Sequence, residues 1–431
     1  MGRSIHPAKL AAGGTSTKGM SSFAMFARAV CHGIAVLWAA MVLPASSLTF
    51  ADSGTMDDPR QFMHGIGAAR ADNGDMYVFF SSSGLPPQGA RGDEDWTHDV
   101  YLARWTAQSG IQLPARIFIR EFEAQEPVAV AQNARGTIML TIEDWHRHEE
   151  VTQRYGVYDS ALKPVRAYPQ TVEDGGHSGD IAAVGDYFVV AYSDGWIDSG
   201  GVNDLGTGNG VYTNIYDGLG KLLHNIEVAH DRPAWWPVVA GGRSVALLAW
   251  QEQAGKRKTT GLNIALVDPA SGRLHGQRRL RDRVQPYAYN AAWLDSIQRF
   301  LVLGTASGQG FAKLIDSRGK VTASLSCMPA TVREAGIAVQ DADDSPKASF
   351  AYTPSADGRL LQLHARPDSL ALSGILSATR GGTVSWQPLG SIGLFRSSGT
   401  LDWLSLTPRG LEQTQFDPAK SARPTKRELC H

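Results

Sequence analysis

Tyr187-Phe-Val-Val-Ala-Tyr-Ser-Asp194 opens with an unbroken apolar, β-prone run and closes on a polar pair. A strand with one face in water alternates; an unbroken apolar strand needs burial on both faces, as between two stacked sheets. The same reading applies to Met76-Tyr-Val-Phe-Phe80, Thr137-Ile-Met-Leu140, Val245-Ala-Leu-Leu-Ala-Trp250 and Phe300-Leu-Val-Leu303, and more weakly to Ser349-Phe-Ala-Tyr352 and Ile392-Gly-Leu-Phe395. These copies return at intervals of about 50 residues, the range of propeller blades. A second signal follows each of four runs. Tyr155-Gly-Val-Tyr-Asp159, Val211-Tyr-Thr-Asn-Ile-Tyr-Asp217, Ile264-Ala-Leu-Val-Asp268 and Phe311-Ala-Lys-Leu-Ile-Asp316 end on Asp, and the last three are followed by Gly220, Gly272 and Gly319. Asp starts such a turn by bonding its own backbone, and Gly supplies the positive φ. Strands so regularly spaced, with no helical stretch between them, predict an all-β chain: a β-propeller of about seven four-stranded antiparallel blades.

The runs around Pro127-Val-Ala-Val130 and Pro237-Val-Val-Ala240, with Phe188-Val-Val-Ala-Tyr-Ser-Asp194, resemble secreted bacterial propellers of the sialidase-like superfamily. The resemblance implies the fold and no activity. Sialidases carry Ser-x-Asp-x-Gly-x-x-Trp boxes, whereas only a degenerate Ser355-Ala-Asp-Gly358 occurs here, and no arginine triad with a nucleophilic tyrosine can be placed.

Composition agrees with one large β body. The chain has 431 residues, 43% hydrophobic and 19% charged, with 46 Gly. Its 41 basic and 42 acidic residues give a net charge of −1, far from the dense basic field that a nucleic-acid partner requires. Arg3, Lys9, Lys18 and Arg28 precede an apolar stretch from Ala29 to Leu43, then Pro44 and small residues, which is the pattern of a secretory signal cleaved after Ser47 or Ala51. The stretch is shorter than the roughly 20 residues of a spanning helix. The expected organisation is therefore a signal and preceding extension over 1–51, a single propeller over 52–417 and a polar tail over 418–431. The mature chain is expected to be periplasmic or secreted and monomeric, with no membrane span. Cys31 would leave with the signal, so Cys327 and Cys430 remain as a pair for a disulfide in an oxidising compartment, the alternative being two free thiols.

Propellers bind ligands where the loops preceding the inner strands meet the loops between second and third strands. The latter are long and chemically rich in the first four blades: Asp93-Glu-Asp-Trp-Thr-His98 (with Asp95 and Trp96), Glu143-Asp-Trp-His-Arg-His148 (with Asp144 and Trp145), Asp194-Gly-Trp-Ile-Asp198 (with Trp196) and Trp250-Gln-Glu252. The former add Glu126, His177, Asp180, Arg232, Trp235, Trp236, Tyr287, Tyr289 and Asn290. Acids, histidines and aromatics so mixed suit a carbohydrate, whose rings stack on Trp or Tyr while carboxylates and amides take the hydroxyls. Two chemistries are conceivable. A hydrolase would pair carboxyls among Asp95, Asp144, Asp194, Glu126 and Asp180. A uronate lyase would use His177, Tyr287 or Tyr289 as base, with Arg232 neutralising the carboxylate. No cofactor is called for. Asp198, Asn203 and Asp204 offer oxygens to Ca2+ but lack the twelve-residue helix-flanked pattern, and His146 and His148 with Glu149 and Glu150 read as a solvated loop rather than a metal site. The competing function is a scaffold that presents its aromatic loops to another envelope protein.

Overall fold

The runs that begin at Met76, Thr137, Tyr187, Val245, Phe300 and Ser349 are second strands and are buried as their sequence demands. Gly393-Leu-Phe395, expected as a second strand too, falls instead on the innermost strand of its blade. Phe79, Phe80, Phe188, Val189, Val190, Leu247, Leu248, Phe300 and Leu301 are all fully enclosed. A computed structural model describes residues 65–82, 98–121, 124–146, 150–197, 207–230, 232–254, 259–334, 336–341, 345–352, 359–380, 393–397, 399–407 and 410–424. The chain divides into Met1–Asp52, outside the described residues, and Ser53–His431. Every described element is a strand, and no described helix is long and apolar enough to cross a membrane.

Blade 1 is β1 (Ile66–Arg70), β2 (Met76–Ser82), β3 (Asp99–Thr106) and β4 (Gly110–Ile119). Blade 2 is β5 (Gln125–Gln132), β6 (Ile138–His146), β7 (Glu150–Tyr158) and β8 (Pro164–Asp174). Blade 3 comprises β9 (Gly176–Val184), β10 (Tyr187–Asp194), β13 (Gly210–Tyr216) and β14 (Leu222–His230), with a short β11–β12 pair (Trp196–Ile197 and Thr207–Gly208) in its loop. Blade 4 is β15 (Ala234–Gly241), β16 (Ala246–Ala254), β17 (Thr259–Asp268) and the first half of β18 (Arg273–Leu294). The second half of β18 turns inward and pairs with β19 (Arg299–Ala306), which with β20 (Gln309–Ile315) and β21 (Val321–Met328) makes blade 5. Blade 6 is β22 (Ile337–Gln340), β23 (Lys347–Ala351), β24 (Leu360–Arg366) and β25 (Ser369–Arg380). Blade 7 is described by three strands, β26 (Gly393–Ser397), β27 (Thr400–Thr407) and β28 (Gly410–Ala422).

All these pairings are antiparallel, and the innermost strands close a ring. β1 touches β5, β5 touches β9, β9 touches β15, β15 touches β18, β18 touches β22, β22 touches β26, and β26 returns to β1. The core follows this geometry as seven hydrophobic clusters, each straddling two neighbouring blades. Blade 1 takes its four strands from one continuous stretch, and among the described residues it meets blade 7 by packing. Met76, Val78, Phe80 and Trp105 of blade 1 meet Leu404 and Leu411 of blade 7, and the Ile111 amide donates to Gln413 Oε1 at 2.8 Å. β28 continues past Phe416 to Ala422, and its end pairs with Ile375 and Leu376 of β25, joining blades 6 and 7 edge to edge.

The Asp turns take the expected form. Asp159 Oδ1 accepts the Ala161 and Lys163 amides, Asp217 Oδ1 those of Leu219 and Lys221, and Asp316 Oδ1 those of Arg318 and Lys320. Gly220, Gly272 and Gly319 have φ of 77°, 69° and 81°; in blade 2, which lacks this glycine, Leu162 takes the left-handed position at 62°.

Candidate functional site

The inner strands of blades 2 to 5 share an irregularity near their starts. Their register slips between Gln125 and Val128, between His177 and Asp180, between Trp235 and Val238, and between Val284 and Tyr289. A bulge bends its strand and re-aims a side chain. In three of these bulges a non-glycine residue is left-handed: Ser178 (φ 54°), Trp236 (56°) and Tyr287 (59°). Glu334, just before β22, joins them at 52°. Such conformations cost about 1–3 kcal/mol each and persist where the surroundings over-determine them, as at binding sites.

What holds them is a recurring clamp. An amide at the start of one blade's inner strand is captured by a side chain near the end of the preceding blade's second strand. Glu143 Oε2 accepts the Ser178 amide (2.7 Å), Ser193 Oγ that of Trp236 (3.2 Å), Gln251 Oε1 that of Tyr287 (3.2 Å) and Thr305 Oγ1 that of Thr331 (2.8 Å). Ser193, Gln251 and Thr305 are fully buried, so each clamp acts in a low-dielectric setting where an unmet amide is costly.

At this end of the ring the inner strands enclose a cavity of about 290 Å³ on the propeller axis. Six blades contribute: Gly65 to Gly67 from blade 1, Pro127 to Val130 from blade 2, Ser178 to Asp180 from blade 3, Trp236 to Val239 from blade 4, Tyr289 and Asn290 from blade 5, and Glu334 with Gly336 from the start of blade 6. Its volume is at the small end of ligand pockets, roughly 300–1,000 Å³. Val128 and Val130 crowd Gly65 and Gly67, where a Cβ would fall 2.4 Å from the Val128 amide nitrogen and 2.7 Å from the Val130 side chain; glycine there lets two inner strands approach.

The charged groups on the cavity wall differ in environment. Asp180 accepts the Ile181 amide and, from blade 4, the Val239 amide, both at 2.8 Å. Burial pushes its carboxyl up to about 6, with the two amides opposing the shift. Glu334 is paired with Arg333 (2.7 Å), whose guanidinium lies 4.1 Å from the Tyr287 ring centroid. Tyr287 meets Trp236 edge to face at 4.7 Å, and Tyr289 donates its hydroxyl to the Trp236 carbonyl. Burial holds the Tyr289 phenol well above its usual range, so it stays a donor.

Of the residues that sequence singled out, the cavity gathers Asp180, Trp236, Tyr289 and Asn290. The others stand apart from its wall. Trp235 is 2% exposed, and its indole donates to the Tyr287 hydroxyl of blade 5, across the seam between the two blades. His177 is enclosed: Nε2–H donates to the Gly195 carbonyl, Nδ1 accepts from Ser178 Oγ, and burial lowers its pKa to about 4. It is thus a neutral imidazole with both nitrogens engaged. Asp144 is buried within blade 2 beside Arg154 (3.2 Å) and accepts the Tyr168 hydroxyl (2.7 Å). Glu126 Oε2 lies 3.0 Å from His98 Nδ1, between blades 1 and 2 and next to the cavity residue Pro127. Asp194 ends β10 and its carbonyl accepts the Asn209 amide, and Arg232 is exposed. Asp95, Trp96, Asp198, Asn203, Asp204, His148, Glu149 and Cys430 lie outside the described residues, as do the side chains of Trp145, His146, Glu150 and Trp196. Cys327 is disulfide-bonded.

Sequence reading passes over Ser178, Arg333 and Glu334. Glu334 sits before the inner strand of blade 6, whose other loops are plain, and only its alignment with Ser178, Trp236 and Tyr287 across the blades marks it.

The fold and the axial cavity define a seven-bladed propeller with an open polar pocket on its axis. No family model and no curated protein matches the sequence. Among solved structures, the chain is similar to an ulvan lyase of a new polysaccharide lyase family (10% identity, TM-score 0.48, covering 82% of this chain and 94% of that one). It is also similar to an α-L-arabinanase of Penicillium chrysogenum (9%, 0.48, covering 85% and 97%) and the NanB sialidase of Streptococcus pneumoniae (8%, 0.43, covering 85% and 70%). The resemblance to sialidase-like propellers is one of fold.

Proposed function

We propose that this protein binds a carbohydrate in the axial cavity, as an exported envelope or extracellular protein. One observation carries the reading. Six blades converge on a small open pocket whose wall includes an aromatic residue held in a left-handed conformation, Trp236, together with Ser178, Asp180, Asn290 and Glu334. An apolar ring face beside a few fixed polar partners is what a sugar needs. Export is supported by the N-terminal charge and apolar pattern and by a disulfide at Cys327, since disulfides persist in oxidising compartments.

The cavity also supports hydrolysis as its chemistry. Asp180 of blade 3 keeps its proton to about pH 6, while Glu334 comes from the far side of the ring and is paired with a cation. A carboxyl that keeps its proton, with a second carboxyl across the cavity, is the pairing that glycoside hydrolysis uses. The test is a panel of neutral and acidic polysaccharides, read for binding, for new reducing ends and for the absorbance of unsaturated uronates. Binding that Trp236→Ala abolishes supports the site, and reducing ends lost in both Asp180→Asn and Glu334→Gln support the hydrolase. Absence of binding and turnover across the panel refutes both, leaving the aromatic loops to a protein partner.

A further inference from the structure

Outside the axial site, the most unusual chemistry lies where blades 4 and 5 meet at their outer edge. The outer half of β18 reads Arg273-Leu-His-Gly-Gln-Arg-Arg-Leu-Arg-Asp-Arg283, five arginines against one aspartate in a chain whose net charge is −1. Arg279 is paired with Asp282 (3.0 Å). Arg278 and Arg281 are not on that face. They pair with Ile264 and Leu262 of β17, two residues apart, and so share the face that those residues turn toward blade 5. Across the seam, Phe311 and Ile315 of β20 turn toward blade 4, and Lys313 lies between them on the same face. The Arg281 guanidinium rests over the Phe311 ring at 5.8 Å, which fixes its direction along the seam. Ser324 stands directly opposite Lys313 in β21 and is exposed.

Three cations therefore share one face of the seam, and none makes an ion pair or a side-chain hydrogen bond among the described residues. Lys313 is half-buried. Burial first, then Arg281 and Arg278, lower its pKa, so the group is held against both desolvation and like charge. No carboxylate among the described residues relieves it. An anion would relieve this repulsion, and two guanidiniums with an ammonium match the oxygens of a sulfate, phosphate or carboxylate.

We propose that Arg278, Arg281 and Lys313 form a second binding site, at the outer seam of blades 4 and 5, for an oxyanion group, either free or carried on an acidic polysaccharide. The site is built from outer and third strands and shares no residue with the axial cavity, so it stands or falls independently of the carbohydrate reading there.

The experiment uses the full chain in thermal melts with sodium sulfate against sodium chloride at equal ionic strength. It also measures affinity for dextran sulfate and uncharged dextran. Sulfate is expected to raise the wild-type melting temperature beyond chloride, and dextran sulfate to bind while dextran does not. Arg281→Gln and Lys313→Gln should each weaken dextran sulfate binding by about tenfold or more, the loss of one hydrogen bond to a charged group. Without sulfate, Lys313→Gln should melt at or above the wild type because a like charge has been removed. Arg135→Gln, which deletes an arginine paired with Asp186 elsewhere, and Trp236→Ala should both leave the sulfate effect intact. A response to free sulfate without dextran sulfate binding assigns the site to a free ion, and binding of the polymer assigns it to a glycan. The proposal is overturned if sulfate and chloride act alike on the wild type, if Arg135→Gln or Trp236→Ala removes the effect equally, or if Lys313→Gln melts lower without sulfate.

Discussion

At the scale of single residues, the adjacent pair Trp235 and Trp236 separates packing from presentation. The bulge leaves Trp235 buried at the seam and Trp236 half-buried on the cavity wall, so two identical neighbours have different tasks. Trp235→Ala should cost about 3–5 kcal/mol in denaturant unfolding, the range for a large aromatic removed from a core. Trp236→Ala should lose far less stability and abolish glycan binding; equal stability losses would return both to the core. A second pair, His177 and Asp180, makes opposing demands on pH. His177 titrates near 4 when folded and near 6.5 when unfolded, so the unfolded chain binds more protons between these values and stability rises with pH. Asp180 titrates near 6 folded and 3.8 unfolded, so over about pH 4 to 6 the folded chain binds more protons and stability falls as pH rises. Each group changes stability by about 3 kcal/mol across its range, and in the wild type the two nearly cancel. Asp180→Asn should therefore uncover a rise in stability from pH 4 to 6, and His177→Gln should uncover a fall. Urea midpoints across that range decide the matter, and variants parallel to the wild type would refute it.

At the scale of elements, the decisive unit is the bulge with its clamp. Ser193→Ala removes the acceptor of the Trp236 amide at a buried position, so stability should drop by about 1–3 kcal/mol. Glycan affinity should fall as well, because the left-handed turn that aims Trp236 is loosened; Ser193→Thr, which keeps the hydroxyl, should retain both. An affinity unchanged in Ser193→Ala, measured by calorimetry, would show that the bulge holds its shape unaided. The same unit explains what the sequence discloses. Phe188-Val-Val-Ala-Tyr192 announces a two-sided strand because apolarity is a property of the run, and Asp217 with Gly220 announces a turn because its bonds are local. A bulge depends on register with a partner strand, here Ser193 opposite His177, and that partner is fixed only when the blade forms. Alternation thus fails at His177, Trp235 and Tyr287, where the extra residue exchanges inward for outward, while Asp180 and Trp236 reach the axis.

At the scale of the whole molecule, the ring makes remote contacts local. A solenoid has two ends and frays from them, so damage to one repeat weakens mainly its neighbours. Here each of seven clusters is shared by two blades and the last is shared with the first, which leaves no end to fray. Phe416 tests the difference. It is fully buried in the cluster between blades 6 and 7, stacks with Trp403 at 6.1 Å, and pairs with both Leu401 of β27 and Ala378 of β25. Phe416→Ala should cost about 3–5 kcal/mol. If closure couples the blades, amide exchange should accelerate by a similar factor in β10 of blade 3 and in β27, because both open only through global unfolding. Acceleration confined to blades 6 and 7 would instead make the protein a chain of independent repeats bent into a circle. In that case the axial cavity, which needs six inner strands held at once, would have no rigid wall on which to build a site.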